Sequence, residues 1–597
     1  MTSKNTTFLA LTSDQRFWDT SKEVLFLGEW CFTTLSPKSK VDYPFSVLKS
    51  YWDDRSHMEK TCMYLDKITE RFLSIIGDIL NEHHGVCYNH RQWRILLGCW
   101  LFHAVHHTYD RYIHLKKAIE TKKNLITYIV PHNDSFVPRV SYNIKETVNN
   151  PVGHIILFSR LIEVLGLNST YKNIVLDIDL NYLSIVNNRN ILKEVLKSTL
   201  SKIHKRLFLL RNNKLLHRND KGYIVITHFF NTPTLIRLIM LNKRALYINI
   251  SSEWRKVFKG YSAINMHLRK KLFSKITAAD EFENALYYCI PYIIPASYVE
   301  DFKRWHSHTS KYSIRNITSV LTSNGFSFNE PVTFLAARLI KDGVRLIGAQ
   351  HGGGYGISKH VAGEIHEVAC SDNYITWGWG NKPKYIPMPC PLTRKKVGCL
   401  NNRGRKRFLL LSTEFQLLAH RIESNPLSGQ MPRYFAAQEK FYKALDNSTS
   451  HDFAYKPYAR LFNNEGSDWY YNKSYKIKVV TDHISKLLLS TDVFIWDHNG
   501  TGLLETIAYN KPTLIFWDIN VFEIRDDARR HFEEMASVGI FHHSPESAAW
   551  QLNKISDNPL QWWMGNNVQR ARERFIRQYV RVSDNWKRDW KKLLAYL

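Results

Sequence analysis

The sequence predicts an α/β fold in which two doubly wound domains with parallel sheets face a cleft. Short buried strands alternate with helices of about ten residues, and this alternation is typical of right-handed βαβ crossovers. The alternation occurs in two runs, separated by a stretch at 399–407 that is rich in basic residues and Asn. We therefore expect a first domain over 1–398, a basic linker over 399–407 and a second domain over 408–575.

The composition is typical of a globular chain with a basic surface. The chain has 597 residues, of which 44% are hydrophobic and 13% aromatic, so it exceeds one compact domain and can bury a large core. Lys and Arg number 82 against 54 for Asp and Glu, which gives a net charge of +28 with His neutral. This balance favours anionic partners, such as nucleic acid, anionic lipid headgroups or phosphate-bearing substrates.

Three absences narrow the class of protein. No run approaches the roughly 20 consecutive apolar residues of a membrane-spanning helix, and the first residues lack the charged-then-apolar order of a signal peptide. The eight cysteines include no C-x-x-C pair, which argues against a zinc ribbon and favours reduced thiols. We therefore expect a cytoplasmic protein.

The first domain is predicted to hold a helical insertion over about 50–122, where apolar residues recur at three- and four-residue spacing. A later unit is predicted as an amphipathic helix over 332–343, a buried strand over 344–350 and a glycine-rich turn over 351–356. Further strands of this domain are predicted at 8–12, 24–30, 125–131, 173–180, 223–230 and 372–380.

The second domain is predicted to contain a second set of buried strands with helices between them. These strands are predicted at 408–415, 454–458, 476–480, 493–497 and 513–518. Ligands of open parallel sheets bind outside the carboxyl ends of the strands. Polar residues that directly follow a strand are therefore the candidate site residues.

The sharpest candidate is the end of the strand over 493–497. The strand ends at Asp497, and a helix is predicted from about Leu503. Between them lies a tight polar turn of His498, Asn499, Gly500, Thr501 and Gly502. Free amides and the helix dipole favour an anion there, such as a nucleotide phosphate, and Glu505 could bind a ribose diol. The alternative is an ordinary strand-to-helix turn with Thr501 as N-cap.

A second candidate is the glycine-rich turn of the first domain. Its glycines are Gly352, Gly353, Gly354 and Gly356. So many glycines are costly in backbone entropy unless the conformation is needed, and consecutive amides can form an anion-binding nest. His351, with Glu364 and Glu367 downstream, could be a general base or bind a phosphate or sugar hydroxyl, or it could be structural.

Two charged residues at other strand ends are further candidates. Glu29 lies at the end of the strand predicted over 24–30, at a cleft edge, where it could act as a base or orient an acceptor hydroxyl, or serve as an N-cap or surface ion pair. Lys456 could offset diphosphate or carboxylate charge, or be an exposed loop lysine.

The histidines do not predict a metal site. His103 and His107 share one face of a predicted helix, and His106 lies off it. Neither an H-E-x-x-H motif nor the spacing of a third ligand accompanies them.

The C-terminal segment 576–597 is predicted as an amphipathic basic helix. Its aromatic and aliphatic residues recur at three- or four-residue steps. Such a helix could rest on an anionic membrane surface, giving peripheral attachment to the inner face of the cytoplasmic membrane, or pack back across the first domain.

Four sequence elements carry a family resemblance: FLALT with FLGEWC, YDRY at 109–112, AQHGGGYG, and the late DHNGTGLLETIAYNKPTLIFWD. Together, and in this order, they resemble a family of transferases from lipopolysaccharide O-antigen loci. More distantly, the chain is similar to the GT-B glycosyltransferases of capsule assembly and to the CDP-glycerol glycerophosphotransferases of teichoic acids.

This resemblance implies a GT-B fold of two Rossmann-like domains and a metal-independent enzyme without a cofactor. It implies that the second domain holds a nucleotide-activated donor, through Asn499 to Glu505. It also implies that Gln350, His351 and the following glycines line the cleft.

The expected function is transfer of a sugar from a nucleotide-activated donor to an O-antigen or capsule polysaccharide, or to its lipid-linked precursor. His351 or Glu29 would remove the acceptor proton, and the donor nucleotide could be CMP, UDP or GDP. Phosphopolyol transfer from a CDP-alcohol uses nearly the same cleft and stays open. A non-enzymatic protein that binds polyanions is the alternative outside enzymology, although we expect no nucleic-acid partner.

Overall fold

The computed structural model describes residues 6–32, 41–174, 222–226, 245–247, 261–310, 316–391, 407–413, 421–427, 429–458, 475 and 477–596. The predicted strand over 173–180 beyond residue 174 lies outside these ranges. So do residues 227–230 of the next predicted strand and the basic linker before Arg407.

The described residues form three sheets, in which all the pairs of neighbouring strands are parallel. The first sheet contains β1 (Thr7–Ala10), β2 (Glu23–Phe26), β3 (Phe45–Val47), β4 (Leu125–Ile129) and β5 (Ser169–Tyr171). The second contains β6 (Gly222–Ile226), β7 (Ala245–Tyr247), β8 (Ile317–Thr322), β9 (Arg345–Ala349), β10 (Asn373–Thr376) and β11 (Tyr385–Pro387). The third contains β12 (Phe408–Leu411), β13 (Phe453–Lys456), β14 (Lys478–Val479), β15 (Val493–Trp496), β16 (Thr513–Phe516) and β17 (Phe541–His542).

Strand order gives each sheet a doubly wound topology. The orders are β3-β2-β1-β4-β5, β11-β10-β9-β8-β6-β7 and β14-β13-β12-β15-β16-β17. The predicted α/β class with parallel sheets that face a cleft is confirmed. The segment predicted as a single first domain holds two sheets, because alternation along the chain does not reveal which strands pair.

Helices flank these sheets. In the first half of the chain they are α1 (Met58–His84), α2 (His90–Thr121), α3 (Asn143–Asn149), α4 (Pro151–Leu165), α5 (Met266–Phe273), α6 (Glu281–Ile293), α7 (Phe302–Ser310), α8 (Glu330–Leu339) and α9 (Ala362–Cys370). In the second half they are α10 (Met431–Lys443), α11 (Asn447–His451), α12 (Ile484–Leu487), α13 (Thr501–Ala508), α14 (Asp526–Ser537), α15 (Pro545–Ile555), α16 (Pro559–Trp563), α17 (Asn566–Tyr579) and α18 (Trp586–Tyr596).

The predicted helical insertion forms α1 and α2. Helix α1 ends at Gly85, whose φ of 66° is the left-handed conformation of a glycine C-cap. Helix α2 begins with a capping box, in which Asn89 and Gln92 each accept a hydrogen bond from the other's amide. Most of α2 is buried, and it packs against α1, α8 and α9. The insertion is therefore part of the body that carries the second sheet.

The C-terminal helix α18 packs back onto the second sheet. Trp590 and Leu594 are buried in one cluster with Tyr223 and Ile347 of that sheet. The Trp590 indole donates a hydrogen bond of 2.9 Å to the carbonyl of Pro389. Two interpretations of the amphipathic pattern of α18 were open: a membrane contact or packing across the first domain. In the structure α18 packs across the first domain, and this packing covers the apolar face that a membrane contact would need.

Replacing Trp590 by alanine is expected to lower the free energy of unfolding by about 3 kcal/mol, because truncation of a buried Trp leaves a cavity. Tyr596→Ala, on the same helix but 76% exposed, is the matched control and should change stability little. Urea denaturation of both variants measures the difference. Equal stabilities would contradict the packing of α18 described here.

Candidate active site

A cavity of about 740 Å³ lies between the second and third sheets. In the third sheet the strand order reverses between β12 and β15, and ligands of doubly wound sheets bind at such a switch point. Ser412 and Thr413 follow β12, His498 follows β15, and all three line the cavity. The opposite wall is His351 with the glycines after it. The two predicted candidate segments thus face one another.

The turn after β15 presents backbone amides to this cavity. Gly500 is the N-cap of α13 and has no side-chain cap, so Thr501 is the first helical residue and not the cap, and the helix starts two residues earlier than predicted. Among the described residues, no group accepts a hydrogen bond from the backbone amide of Thr501 or Gly502. An uncapped N-terminus carries the positive end of the helix dipole and attracts anions.

Asp497 lies behind the turn and does not line the cavity. Its carboxylate accepts hydrogen bonds from Gln438 and, at 2.9 Å, from the Nδ1 atom of His498. It is 2% exposed and orients His498, and its predicted direct contact with a donor stays a prediction. The side chain of His498 lines the cavity.

Asn499 lines the cavity and reaches across it. Its side-chain amide donates a hydrogen bond of 3.2 Å to the hydroxyl of Ser358, which belongs to the second-sheet body. The contact joins the β15–α13 turn to the opposite wall.

Glu505 is half-buried in α13 and is not among the residues that line the cavity. Burial raises its pKa to about 7. The predicted contact of Glu505 with a ribose therefore stays a prediction.

Lys456 ends β13 and lines the cavity, as its position at a strand end predicts. Burial lowers the pKa of its ammonium, although the charge of Asp482 opposes the shift. Within the described residues no carboxylate lies at ion-pair distance from Lys456. A half-buried ammonium in this setting is stabilised by an anionic ligand.

Gln350 is fully buried beneath the glycine loop (residues 350–356) and does not line the cavity. Its Nε2 atom donates to the carbonyl of Gly352 at 2.9 Å. Its Oε1 atom accepts from the amide of Trp377 at 2.9 Å and the indole of Trp379 at 2.7 Å. All of these contacts are within the protein, so Gln350 shapes the loop, and its predicted contact with a donor stays a prediction.

Gly353 brings the glycine loop against the β15–α13 turn. A Cβ atom there would lie 2.3 Å from the carbonyl carbon of Gly500 and 2.5 Å from the amide nitrogen of Thr501. Only a residue without a side chain allows this approach. Gly354 lacks such a constraint, since a Cβ atom there would lie 3.4 Å from its nearest neighbour, the hydroxyl of Ser358. Gly352 and Gly354 also line the cavity.

His351 forms a pair with a buried carboxylate. Its Nδ1 atom lies 3.3 Å from Oε1 of Glu367, whose side chain is fully buried, while the imidazole is 30% exposed. Tyr374 donates a 2.8 Å hydrogen bond to the other oxygen of Glu367. Burial raises the pKa of Glu367, and the bonds from His351 and the tyrosines oppose that shift.

The pKa of His351 lies above its ordinary value. Burial alone lowers it, but the Glu367 carboxylate and a hydrogen bond to the Ser323 carbonyl outweigh burial. A histidine held by a buried carboxylate is a common arrangement for proton transfer. The sequence indicated His351 by its position at a strand end, whereas the role of Glu367 depends on the packing of α9 beneath the loop.

Glu29 lies three residues beyond the end of β2, as the first residue of a short 3₁₀ helix, and is not among the residues that line the cavity. The strand that precedes it was predicted, but that strand belongs to a sheet other than the one bearing His351. The structure therefore does not bring the two candidate bases together at this cavity.

A seam of polar contacts that the sequence does not reveal joins the two walls. Arg525 forms a 2.6 Å ion pair with Glu364 and donates to the carbonyl of Ser358 at 2.9 Å. Glu364 also accepts a 2.8 Å hydrogen bond from the amide of Gly356, whose φ is 73°. Glu364 thus links the second half of the chain to the glycine loop.

The described part of the chain contains neither a membrane-spanning helix nor a cluster of metal ligands. No helix there combines the length and apolar character that a bilayer crossing needs. Nor do three or more His, Cys, Asp or Glu side chains in that part of the chain gather as metal ligands.

The solved structures that match this chain share little sequence with it. The S. aureus MnaA–UDP co-structure has 8% identity and a TM-score of 0.34, over 61% of this chain and 94% of that one. The glycosyltransferase SnogD from Streptomyces nogalater has 12% identity and a TM-score of 0.32, over 63% and 100%. The wall teichoic acid polymerase TagF has 11% identity and a TM-score of 0.30, over 67% and 97%.

No curated protein matches the sequence. The profile of the LIC12162 family transferase matches residues 7–594. This match includes all three sheets and both segments that face the cavity. The chain therefore belongs to the LIC12162 family of transferases.

Proposed function

We propose that the chain is a glycosyltransferase that moves a sugar from a nucleotide-activated donor to a hydroxyl group of a cell-surface polysaccharide or its lipid-linked precursor. One observation carries this proposal: an uncapped helix N-terminus and Lys456 face the His351–Glu367 pair across a single cavity. Its volume of about 740 Å³ is within the range of ligand sites.

The third-sheet wall is proposed to bind the donor diphosphate. The bond between the sugar's anomeric carbon and the diphosphate oxygen breaks, and the electron pair stays on the departing nucleoside diphosphate. The amides of Thr501 and Gly502 and the ammonium of Lys456 would stabilise that charge. Fixed donors aimed at developing charge are usually the largest contribution to catalysis, and with this positive charge in place the reaction is proposed to need no metal ion.

The opposite wall is proposed to activate the acceptor. The acceptor hydroxyl replaces the Ser323 carbonyl as partner of the imidazole, and His351 takes its proton as the new bond to the anomeric carbon forms. Glu367 orients the ring and stabilises the imidazolium, so it is a positioning residue. Because donor and base lie on opposite walls, we expect attack from the face opposite the diphosphate and inversion at the anomeric carbon.

Thermal-shift measurements with CMP, CDP, UDP, GDP and dTDP test the donor wall, because a ligand that binds only the folded state raises the melting temperature. One nucleotide class is expected to stabilise the protein. Response to none of them would contradict a nucleotide-dependent transferase.

Lys456→Met is expected to weaken the binding of that nucleotide about tenfold, or by about 1.4 kcal/mol, because the diphosphate loses the desolvated cation that contacts it. Lys486→Met is the matched control, since this lysine is in the same body with a side chain that is 76% exposed. Titration of each variant compares the dissociation constants. An unchanged constant in Lys456→Met would remove this residue from the donor site.

A further inference from the structure

The wall of the cavity nearest α2 is built differently from the rest. It consists of Cys99, Phe102, His103, Lys145, Ser327 and Phe328. The first three are on α2, Lys145 is on α3, and the last two follow β8. None of these residues belongs to the β15–α13 turn or to the glycine loop, so this wall can contact a part of the substrate that neither segment reaches.

Phe328 is held in an unusual backbone conformation. Its φ is 50°, which a bulky residue rarely adopts and which costs on the order of 1–3 kcal/mol. Its ring meets His103 edge to face at 4.7 Å between centroids. Strained residues of this kind persist where the surroundings fix them, commonly at ligand contacts. The half-buried ring of Phe328 is thus a fixed aromatic surface within the cavity wall.

Lys145 places a positive charge at the same end of the cavity. Its ammonium lies 4.4 Å from the centre of the Phe328 ring. It is also close enough to His351 to oppose the rise in that residue's pKa, after the larger effects of burial and Glu367. The cation and the ring therefore lie on the side of the cavity that holds the proposed base.

An aromatic ring beside a cation suits a particular kind of ligand. The negative face of the ring attracts the polarised C–H groups on the flat side of a sugar, and the ammonium pairs with an anion. The buried His103, which meets the Phe328 ring edge to face, donates a 2.7 Å hydrogen bond from its Nδ1 atom to the carbonyl of Cys99 and is thereby fixed in place.

We propose that this wall is a subsite for an anionic saccharide, with the sugar ring on Phe328 and its carboxylate or phosphate on Lys145. The inference rests on the proposed function, which makes this the acceptor side. It adds the substrate class: the acceptor residue next to the reacting hydroxyl carries a negative charge.

Ligand-observed NMR titration of the full chain tests the subsite with three probes: a disaccharide ending in glucuronic acid, the same disaccharide carrying a phosphate instead, and the neutral disaccharide. At least one acidic probe is expected to bind about tenfold more tightly than the neutral one, a difference of about 1.4 kcal/mol. The acidic probe that binds more tightly identifies the preferred anion as carboxylate or phosphate.

Lys145→Met is expected to reduce the acidic probe's affinity to that of the neutral probe, whose own binding stays unchanged. Lys116→Met is the matched control on α2, because that lysine pairs with Glu281 outside the cavity. Phe328→Ala should weaken acidic and neutral probes alike. The nucleotide thermal shift, measured on every variant, shows that the cleft is folded and reports separately on the proposed donor site.

Three results would overturn the subsite: equal affinity for neutral and acidic probes, unchanged acidic binding in Lys145→Met, or no saccharide binding up to about 10 mM. If no saccharide binds but the nucleotide still raises the melting temperature, only the proposed subsite is wrong. If the nucleotide shift is also absent from the unmodified chain, the proposed function itself has failed.

Discussion

Replacing His351 by alanine is expected to lower the turnover number by about 10²–10⁴-fold, which is the contribution of a positioned general base. Nucleotide affinity should stay the same, because the donor binds the opposite wall. Steady-state kinetics and the nucleotide thermal shift measure the two effects. His57→Ala is the control, since this histidine is 56% exposed, pairs with Asp54 and does not line the cavity. Turnover equal to that of the unmodified chain would remove His351 from the mechanism.

The pH profile separates a base from a structural histidine. A general base acts in its neutral form, so the rate should fall as the pH drops through the raised pKa of His351. Glu367→Gln removes the carboxylate that raises the pKa of His351, so the effect of burial, which lowers that pKa, dominates. The acidic limb of the pH–rate profile should therefore move to lower pH, and the maximal rate should fall. A limb that stays in place, or moves to higher pH, would contradict the pairing of His351 with Glu367.

Gly353→Ala is expected to lower kcat/KM by about 10²-fold, because misplacement of reacting groups by about 1 Å has an effect of this size. The new methyl group would meet the backbone of Gly500 at 2.3 Å, and a backbone cannot move aside as a flexible side chain can. The two walls must therefore separate. The donor is then held farther from His351.

Gly354→Ala is the matched control for this substitution. It adds the same methyl group one residue later, where the nearest atom is 3.4 Å away. Neither glycine has a positive φ, so backbone strain does not distinguish the two variants. Small-angle scattering with saturating nucleotide should show an enlarged radius of gyration for Gly353→Ala alone. Equal kinetics in the two variants would mean that the contact between the walls does not matter for the reaction.

Strand ends were the most informative feature of the sequence. They predicted that His351 and residues 498–502 lie at one cleft, because the carboxyl ends of parallel strands share an edge of the sheet. The same reasoning failed for Glu29, since its strand belongs to another sheet. A pattern of buried strands gives the number of strands, but their pairing depends on contacts between distant parts of the chain.

The sequence did not predict which individual side chains face the cavity and which face the core. Gln350 follows a strand as His351 does, yet alternation along the strand turns it into the core, where two tryptophans fix it. Asp497 and His498 differ in the same way: the side chain of Asp497 is turned into the core, and that of His498 lines the cavity. Lys145 and Phe328 gave no sequence signal, because their shared wall exists only after α3 and the loop after β8 pack beside α2.

The most direct test of the proposed donor site is a crystal structure with the nucleoside diphosphate that gives the largest thermal shift. We predict that the phosphate oxygens lie within about 3 Å of the amides of Thr501 and Gly502. Lys456 should contact the same phosphates, and His351 should face the terminal phosphate across the cavity. A diphosphate bound at the first sheet near Glu29, or anywhere away from the β15–α13 turn, would contradict the central claim.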